Sequence, residues 1–272
     1  MSMELAPISN KEFDLFKSFI YQHAGISLTD SKQPLVSGRL AKRLRSHGLK
    51  TFTDYYRLIS DPRHVEEQQI AIDLLTTNET HFFREPKHFD FMRTHILPQR
   101  TKGRNFRVWS AASSSGEEPY TIAMLLDEHL KTEPWEVMGS DISTRVLEQA
   151  RAGYYPISRA EEIPRHYLTK YCLKGTGEHA NKLLIVKDLR QKVLFTSINL
   201  TKPFPELGEF DVIFLRNVMI YFDAETKRQI TRQMLSLLRP GGYFIISHSE
   251  SLNGISNAYE AVMPSIYRKP IV

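Results

Sequence analysis

Cysteine is almost missing from this chain: among 272 residues only Cys172 carries a thiol. One cysteine can form neither an intrachain disulfide nor a cysteine-based metal cluster. Long apolar runs are missing too. None approaches the roughly 18 residues of a membrane-crossing helix, and the opening Met1-Ser2-Met3-Glu4-Leu5-Ala6-Pro7 has neither the basic nor the apolar stretch of a leader. A cytosolic protein with no direct membrane insertion is expected. Repeats and low-complexity segments are absent. The ten histidines form no metal pattern: His81, His88 and His95 read as members of one helix but lie seven apart, two turns, so no metal is expected. Hydrophobic content of 41% and charged content of 25% are ordinary for a globular chain, long enough for one large domain or two smaller ones. A net charge of +5 favours an acidic partner but does not by itself indicate nucleic acid.

The most informative segment is residues 107–118, Arg-Val-Trp-Ser-Ala-Ala-Ser-Ser-Ser-Gly-Glu-Glu, which reads as a buried strand, a small-residue turn ending at Gly116, and a helix start. A turn without bulk lets a ligand approach the backbone, and in an α/β sheet this is where a nucleotide-like cofactor lies. Glu117 and Glu118 put carboxylates at the helix start, which would repel a pyrophosphate and suit a cofactor of cationic character. S-adenosylmethionine, a sulfonium with an α-ammonium group, fits. The plain alternative is a glycine that only ends a strand. A second apolar run, residues 135–140, ends in Asp141, about 25 residues past Gly116, where an acid is placed to accept both hydroxyls of an adenosine ribose. Asp141 could instead cap the helix at residues 145–152, but Ser143 is the better cap and leaves Asp141 free.

Residues 1–75 read as a helical domain, with Phe13, Phe16, Phe19 and Ile20 at helical spacing in residues 12–23, and Phe52, Tyr55, Tyr56 and Leu58 likewise in residues 51–60. Residues 31–63 carry eight Lys or Arg against Asp54 and Asp61, and Arg39, Lys42 and Arg43 share one helix face. Such a face is either solvated or a docking surface for an acidic protein. From residue 76 to 272 strands alternate with helices, which implies parallel βαβ units. The strand candidates are 106–111, 136–140, 193–197, 210–215, 242–247 and 266–269; a helix over 224–238 is expected to stop at Gly241-Gly242. Residues 153–192 are too many for an αβ connection. Their Gly175-Thr176-Gly177 turn and the run Leu183-Leu184-Ile185-Val186 point to an inserted antiparallel β-subdomain.

Four segments together resemble the bacterial chemotaxis-receptor methyltransferases, the CheR family: residues 77–85 (TNETHFFRE), 108–120, 139–143 (GSDIS) and 216–223 (RNVMIYFD), with His248-Ser249-Glu250 after the fifth strand. The resemblance covers nearly the whole chain. Ser113-Ser114-Ser115 departs from a family pattern that often ends in threonine, and keeps the turn small. The resemblance implies an α/β, Rossmann-like class I S-adenosylmethionine-dependent methyltransferase domain with a small helical N-terminal domain. It implies methylation of glutamate side chains on chemoreceptor cytoplasmic domains, with S-adenosylhomocysteine as product. It implies cofactor contacts from Asn78, Thr80, Arg84, Glu118, Asp141, Asn199, Leu200, Arg216 and Asn217, beside Gly116 of the turn, and receptor docking through the basic face of Arg39, Lys42 and Arg43. In some members the β-subdomain also grips the receptor's C-terminal tail peptide.

The chemistry is compatible. A glutamate is already ionised near pH 7, so its methylation needs no general base, and the absence of a Ser-His-Asp or Cys-His set is no obstacle. Arg84 is expected to fix a carboxylate with its planar fork, and Tyr221, past the end of the strand at 210–215, to border the reacting methyl. Two other readings stand beside this one. A nucleic-acid methyltransferase fits the net charge, but residues 217–221 lack the prolines of amino-methylating enzymes and the basic face has few aromatics. A non-catalytic adaptor is disfavoured by the intact Arg84, Asp141 and Tyr221.

Overall fold

The computed structural model describes residues 7–271; most of the opening segment read above for a leader lies outside them. Ser9 starts α1 (Asn10–Ala24) with a capping box, its Oγ accepting from the Glu12 amide while the Glu12 carboxylate accepts from the Ser9 amide, and Gly25 closes the helix at φ 69°. Three more helices follow: α2 (Gln33–Ser46), α3 (Phe52–Ser60) and α4 (Val65–Leu75). Glu12 also accepts from the Thr53 amide, which fixes the start of α1 to the start of α3. Phe16, Ile20, Leu40, Leu44 and Tyr55 bury completely between these helices.

A short α5 (Pro86–Phe91) leads to the alternating part: β1 (Phe106–Ala111), α6 (Glu117–Leu130), β2 (Trp135–Asp141) and α7 (Thr144–Ala152). The insertion comes next, with β3 (Tyr154–Pro156), α8 (Arg165–Tyr171), β4 (Cys172–Lys174), β5 (Lys182–Ile185) and α9 (Lys187–Arg190). The chain then returns through β6 (Val193–Ser197), β7 (Phe210–Leu215), α10 (Ala224–Leu237), β8 (Leu238–Ile246), β9 (Glu260–Met263) and β10 (Ile266–Arg268). The main sheet runs β6-β2-β1-β7-β8-β10-β9; its first five strands are parallel, and β10 is antiparallel to both neighbours. Every residue of β7 is buried because helices cover both faces: Val212 and Phe214 join the core under α6, Ile213 and Leu215 the core under α10. Chain order reverses at β1, between β2 and β7, so a crevice opens beyond the carboxyl ends of these strands. The inserted strands form their own antiparallel sheet, β3-β5-β4.

Two expectations need correction, and one strand escaped the sequence reading. The glycines at 241–242 do not stop α10: Leu238 is already extended, and Gly241 at φ 75° bends the chain inside β8. His81, His88 and His95 share no helix, since His81 lies in a turn ahead of α5 and His95 in a π-helical turn after it. Strand β9, fully exposed, carried no apolar alternation that would have marked it. No helix among the described residues is long and apolar enough to cross a membrane.

Candidate active site

The turn after β1 is built from left-handed residues: Ala112, Ser114 and Gly116 stand at φ 59°, 51° and 96°. The Ser113 amide reaches Ser140 O at 2.7 Å and the Ser114 amide reaches Asp141 Oδ2 at 2.9 Å, so the ends of β1 and β2 are stitched together. Gly116 does not face the crevice. A Cβ there would lie 2.8 Å from Ala150 Cβ and 3.1 Å from the Tyr155 hydroxyl, so glycine is required by the packing of α7 and the insertion behind the turn.

Around this turn lies an open crevice with an empty volume of about 950 Å³ including its mouth. Asn78, Thr80, Arg84, Glu118, Asp141, Asn199, Leu200, Arg216, Asn217 and Tyr221 all line it. Of the residues expected at the cofactor, only Gly116 falls outside the lining.

Asp141 is 7% exposed, and burial pushes its carboxyl up against the amides that favour the ionised form. It is not left free by Ser143, contrary to the sequence reading. The Ser143 amide donates to Asp141 Oδ1 at 2.9 Å, while the Ser143 hydroxyl is buried without a partner. The start of α7 is capped from elsewhere: Asp73 of α4 accepts from the Thr144 amide at 3.1 Å and the Arg145 amide at 3.2 Å. Only one of the two helix-start glutamates faces the crevice. Glu118 accepts from Ser110 Oγ at 2.7 Å and pairs with Arg216 Nη1 at 2.6 Å. Glu117 turns away, 1% exposed, accepting from Ser115 Oγ with Arg159 of the insertion 4.0 Å off; burial raises its carboxyl.

Arg216 is 6% exposed and sits between Glu118 and Glu85, the latter at 3.3 Å, and it also donates to Arg84 O. Its charge is met inside the protein. Arg84 differs. Its Nη1 donates to Glu79 O at 2.9 Å, and among the described residues no carboxylate lies within 4.0 Å of its guanidinium. Arg84 is flanked by Phe83 at φ 53° and Glu85 at φ 57°, a left-handed pair that turns it toward the cavity. Asn199 lines the cavity with its side chain committed: Nδ2 donates to His23 O at 2.6 Å and Oδ1 accepts from the Thr201 amide and hydroxyl. Ala24 and Ile26 of the helical part complete the wall, and the Ser27 amide donates to Tyr221 O at 2.8 Å. No sequence signal marked these, because each is defined by a partner some 175 to 200 residues away.

The basic face of α2 is only partly free. Arg39 Nη1 donates to Leu74 O and Thr76 O, capping the carboxyl end of α4. Arg43 pairs with buried Glu67, which also accepts from the Tyr55 hydroxyl at 2.7 Å. Burial alone would raise the Glu67 carboxyl, but Arg43, Tyr55 and His47 hold it down at about 2. Lys42 alone of the three is exposed.

Glu85, His88 and His248 place ligand-type atoms within 4.8 Å of one another. Their partners are protein groups: Ser265 Oγ meets His88 Nε2 at 2.7 Å and His248 Nδ1 at 3.1 Å, and Glu85 faces Arg216. With a guanidinium in place, the set suits a hydrogen-bonded core better than a cation.

Comparison with known proteins agrees with this geometry. Residues 78–267 match the family description "CheR methyltransferase, SAM binding domain" and residues 11–76 match "CheR methyltransferase, all-alpha domain". The chain is 41% identical over 267 residues to the chemotaxis protein methyltransferase of Escherichia coli, covering 97% of this chain and 92% of that protein. It is 41% identical to chemotaxis protein methyltransferase 2 of Pseudomonas aeruginosa, over 95% and 93% of the two chains. With the chemotaxis protein methyltransferase of Borreliella burgdorferi it shares 37% identity over 96% and 95%. The chain belongs to the CheR methyltransferase family, and its cofactor is S-adenosylmethionine.

Proposed function

We propose that this methyltransferase esterifies glutamate side chains on the cytoplasmic domain of chemoreceptors, working in the cytoplasm. The observation that carries the reading is Arg84: a guanidinium in the cavity wall with no carboxylate within 4.0 Å of it among the described residues. A second arginine in the same wall, Arg216, already has its charge met by Glu85 and Glu118, so Arg84 is the natural partner for an incoming carboxylate.

The residues fit the cofactor. Asp141, buried at the tip of β2 with one amide on each oxygen, retains lone pairs for ribose hydroxyls, and Glu118 supplies negative charge elsewhere in the cavity wall. When bound, S-adenosylmethionine supplies a methyl group made electrophilic by the sulfonium. The protein's task is then orientation and exclusion of water. Arg84 holds the substrate carboxylate, already ionised, with one oxygen directed inward, and Tyr221 walls the mouth opposite. No proton has to move.

Two routes bring a receptor to the site. Lys42 and its neighbours on α2 offer positive charge to an acidic helix. The insertion offers a sheet edge: among the described residues β4 pairs only with β5, and its Leu173 and Lys174 are exposed, so an extended receptor tail could add as one more strand. Tail binding would raise the local concentration of enzyme without altering the cavity. The test is to incubate the protein with methyl-labelled cofactor and a receptor cytoplasmic fragment, then raise the pH. Volatile label released as methanol marks a carboxyl ester; label that stays on protein or base overturns the reading. Titration with receptor C-terminal peptides, before and after residues 175–182 are replaced by a short linker, tests the tail separately.

A further inference from the structure

Glu250 follows β8 in a tight turn, its amide donating back to Ser247 O at 3.0 Å, which folds its side chain under the loop that leaves β7. Glu250 Oε2 accepts from the Ser247 amide at 2.9 Å and from the Asn217 amide at 3.2 Å. Asn217 stands at φ 59°, a left-handed conformation that asparagine tolerates better than most residues but that still needs support. Its side chain is held as well, Nδ2 donating to Ser247 Oγ at 2.7 Å. Two residues later a single 3-10 turn, Met219–Tyr221, presents Tyr221 to the cavity. Burial raises the Glu250 carboxyl, while the amides of Ser247, Asn217, Met219 and Ile220 favour its charged form. Oε1 is buried and meets no partner in hydrogen-bonding geometry, so the hydrogen bonds of the carboxylate all fall on Oε2, from one amide on each side.

We propose that Glu250 is a positioning residue that sets Tyr221, by clamping the left-handed turn at Asn217 from below. The inference rests on the reading of Tyr221 given above. A carboxylate gathering main-chain donors from two adjacent loops locks their relative position, which a hydrophobic residue of similar size would not do. The same turn ties in the opposite wall, since Ser247 Oγ also donates to Glu85, the neighbour of Arg84. Arg84 and Tyr221 thus stand on segments joined through one small polar cluster.

The test is a double-mutant cycle on receptor methylation with E250A, Y221A and the pair, and E250Q as the conservative variant. E250A is expected to lower kcat about tenfold, as for the loss of hydrogen bonds to a charged group. In the Y221A background the same change is expected to cost less than about threefold, because the residue being positioned is gone. E250Q, whose carbonyl oxygen can still accept both amides, is expected to recover most of the rate. Should E250A not fold, Glu250→Asp, which withdraws the carboxylate by one methylene, takes its place in the cycle. Equal costs in both backgrounds overturn the positioning role and leave the reading of Tyr221 standing. A Y221A enzyme with unchanged kcat overturns both.

Discussion

Asp73 and Asp141 divide two tasks at the β2–α7 junction. Asp73, reaching over from α4, caps α7 at Thr144 and Arg145, and Asp141 keeps the amides of Ser114 and Ser143. The helical part of the protein therefore holds up the loop on which the ribose is expected to rest.

Affinity should separate the two acids. Asp141→Ala is expected to weaken S-adenosylhomocysteine binding by about 2–4 kcal/mol, roughly 30- to 1000-fold, for the loss of two hydrogen bonds to a charged acceptor. Asp73→Ala removes a cap and is expected to cost about 1 kcal/mol of stability, and Asp73→Asn is expected to recover only part of it, because both Asp73 oxygens accept and an amide nitrogen cannot. Calorimetric titration and thermal melts measure both. Unchanged affinity in Asp141→Ala would show that the ribose lies elsewhere.

Arg84→Ala is expected to abolish turnover while melting at the wild-type temperature, since among the described residues its side chain bonds only to Glu79 O and its role is orientation. Normal methylation by a stably folded variant removes Arg84 from the mechanism.

Lys42 and Arg43 of α2 should behave differently from one another. Lys42→Ala is expected to raise the KM for receptor and flatten its salt dependence without loss of stability. Arg43→Leu leaves the Glu67 carboxylate short of its main partner and is expected to destabilise the fold by about 1–3 kcal/mol. A salt slope in Lys42→Ala identical to wild type returns that face to plain solvation.

Acid should loosen the protein in two stages. Burial, then the nearby Arg216, lowers the His88 imidazole to about 3, so the folded state resists its proton. The stability this represents is present above the unfolded value of 6.5 and is lost as pH falls from there toward 3. Glu67 and Glu85, each held at about 2, add losses only below 4.5. Melting temperatures are thus expected to decline from about pH 6.5, and His88→Gln to flatten the decline between 6.5 and 4.5. A decline of wild-type steepness in that variant would clear His88 of the effect.

Much of this was legible in the sequence for a physical reason: parallel strands buried on both faces, such as Phe210–Leu215, must be continuous apolar runs, and a turn that admits a ligand must be poor in side chains. Partners across the fold were not legible. Helical spacing placed Arg39, Lys42 and Arg43 on one face but could not show that α4 lies opposite two of them. The same blindness hid Asp73, which reads as an ordinary helix acid until α7 is brought to it. Gly241 misled because a glycine after a helix is a common stop, whereas here it relieves a bend within a strand.

One wall of the cavity comes from Ala24 and Ile26, latched by the bonds from Asn199 to His23 and from Ser27 to Tyr221. A ligand seated there touches both halves of the molecule and acts as a rivet between them. Reciprocity follows: whatever tightens the helical half against the sheet strengthens binding of a nucleoside seated there, and the nucleoside in turn stiffens the helical half, by the same factor in each direction. Spent cofactor would hold the halves together as firmly as fresh, wherever its contacts lie on that shared wall.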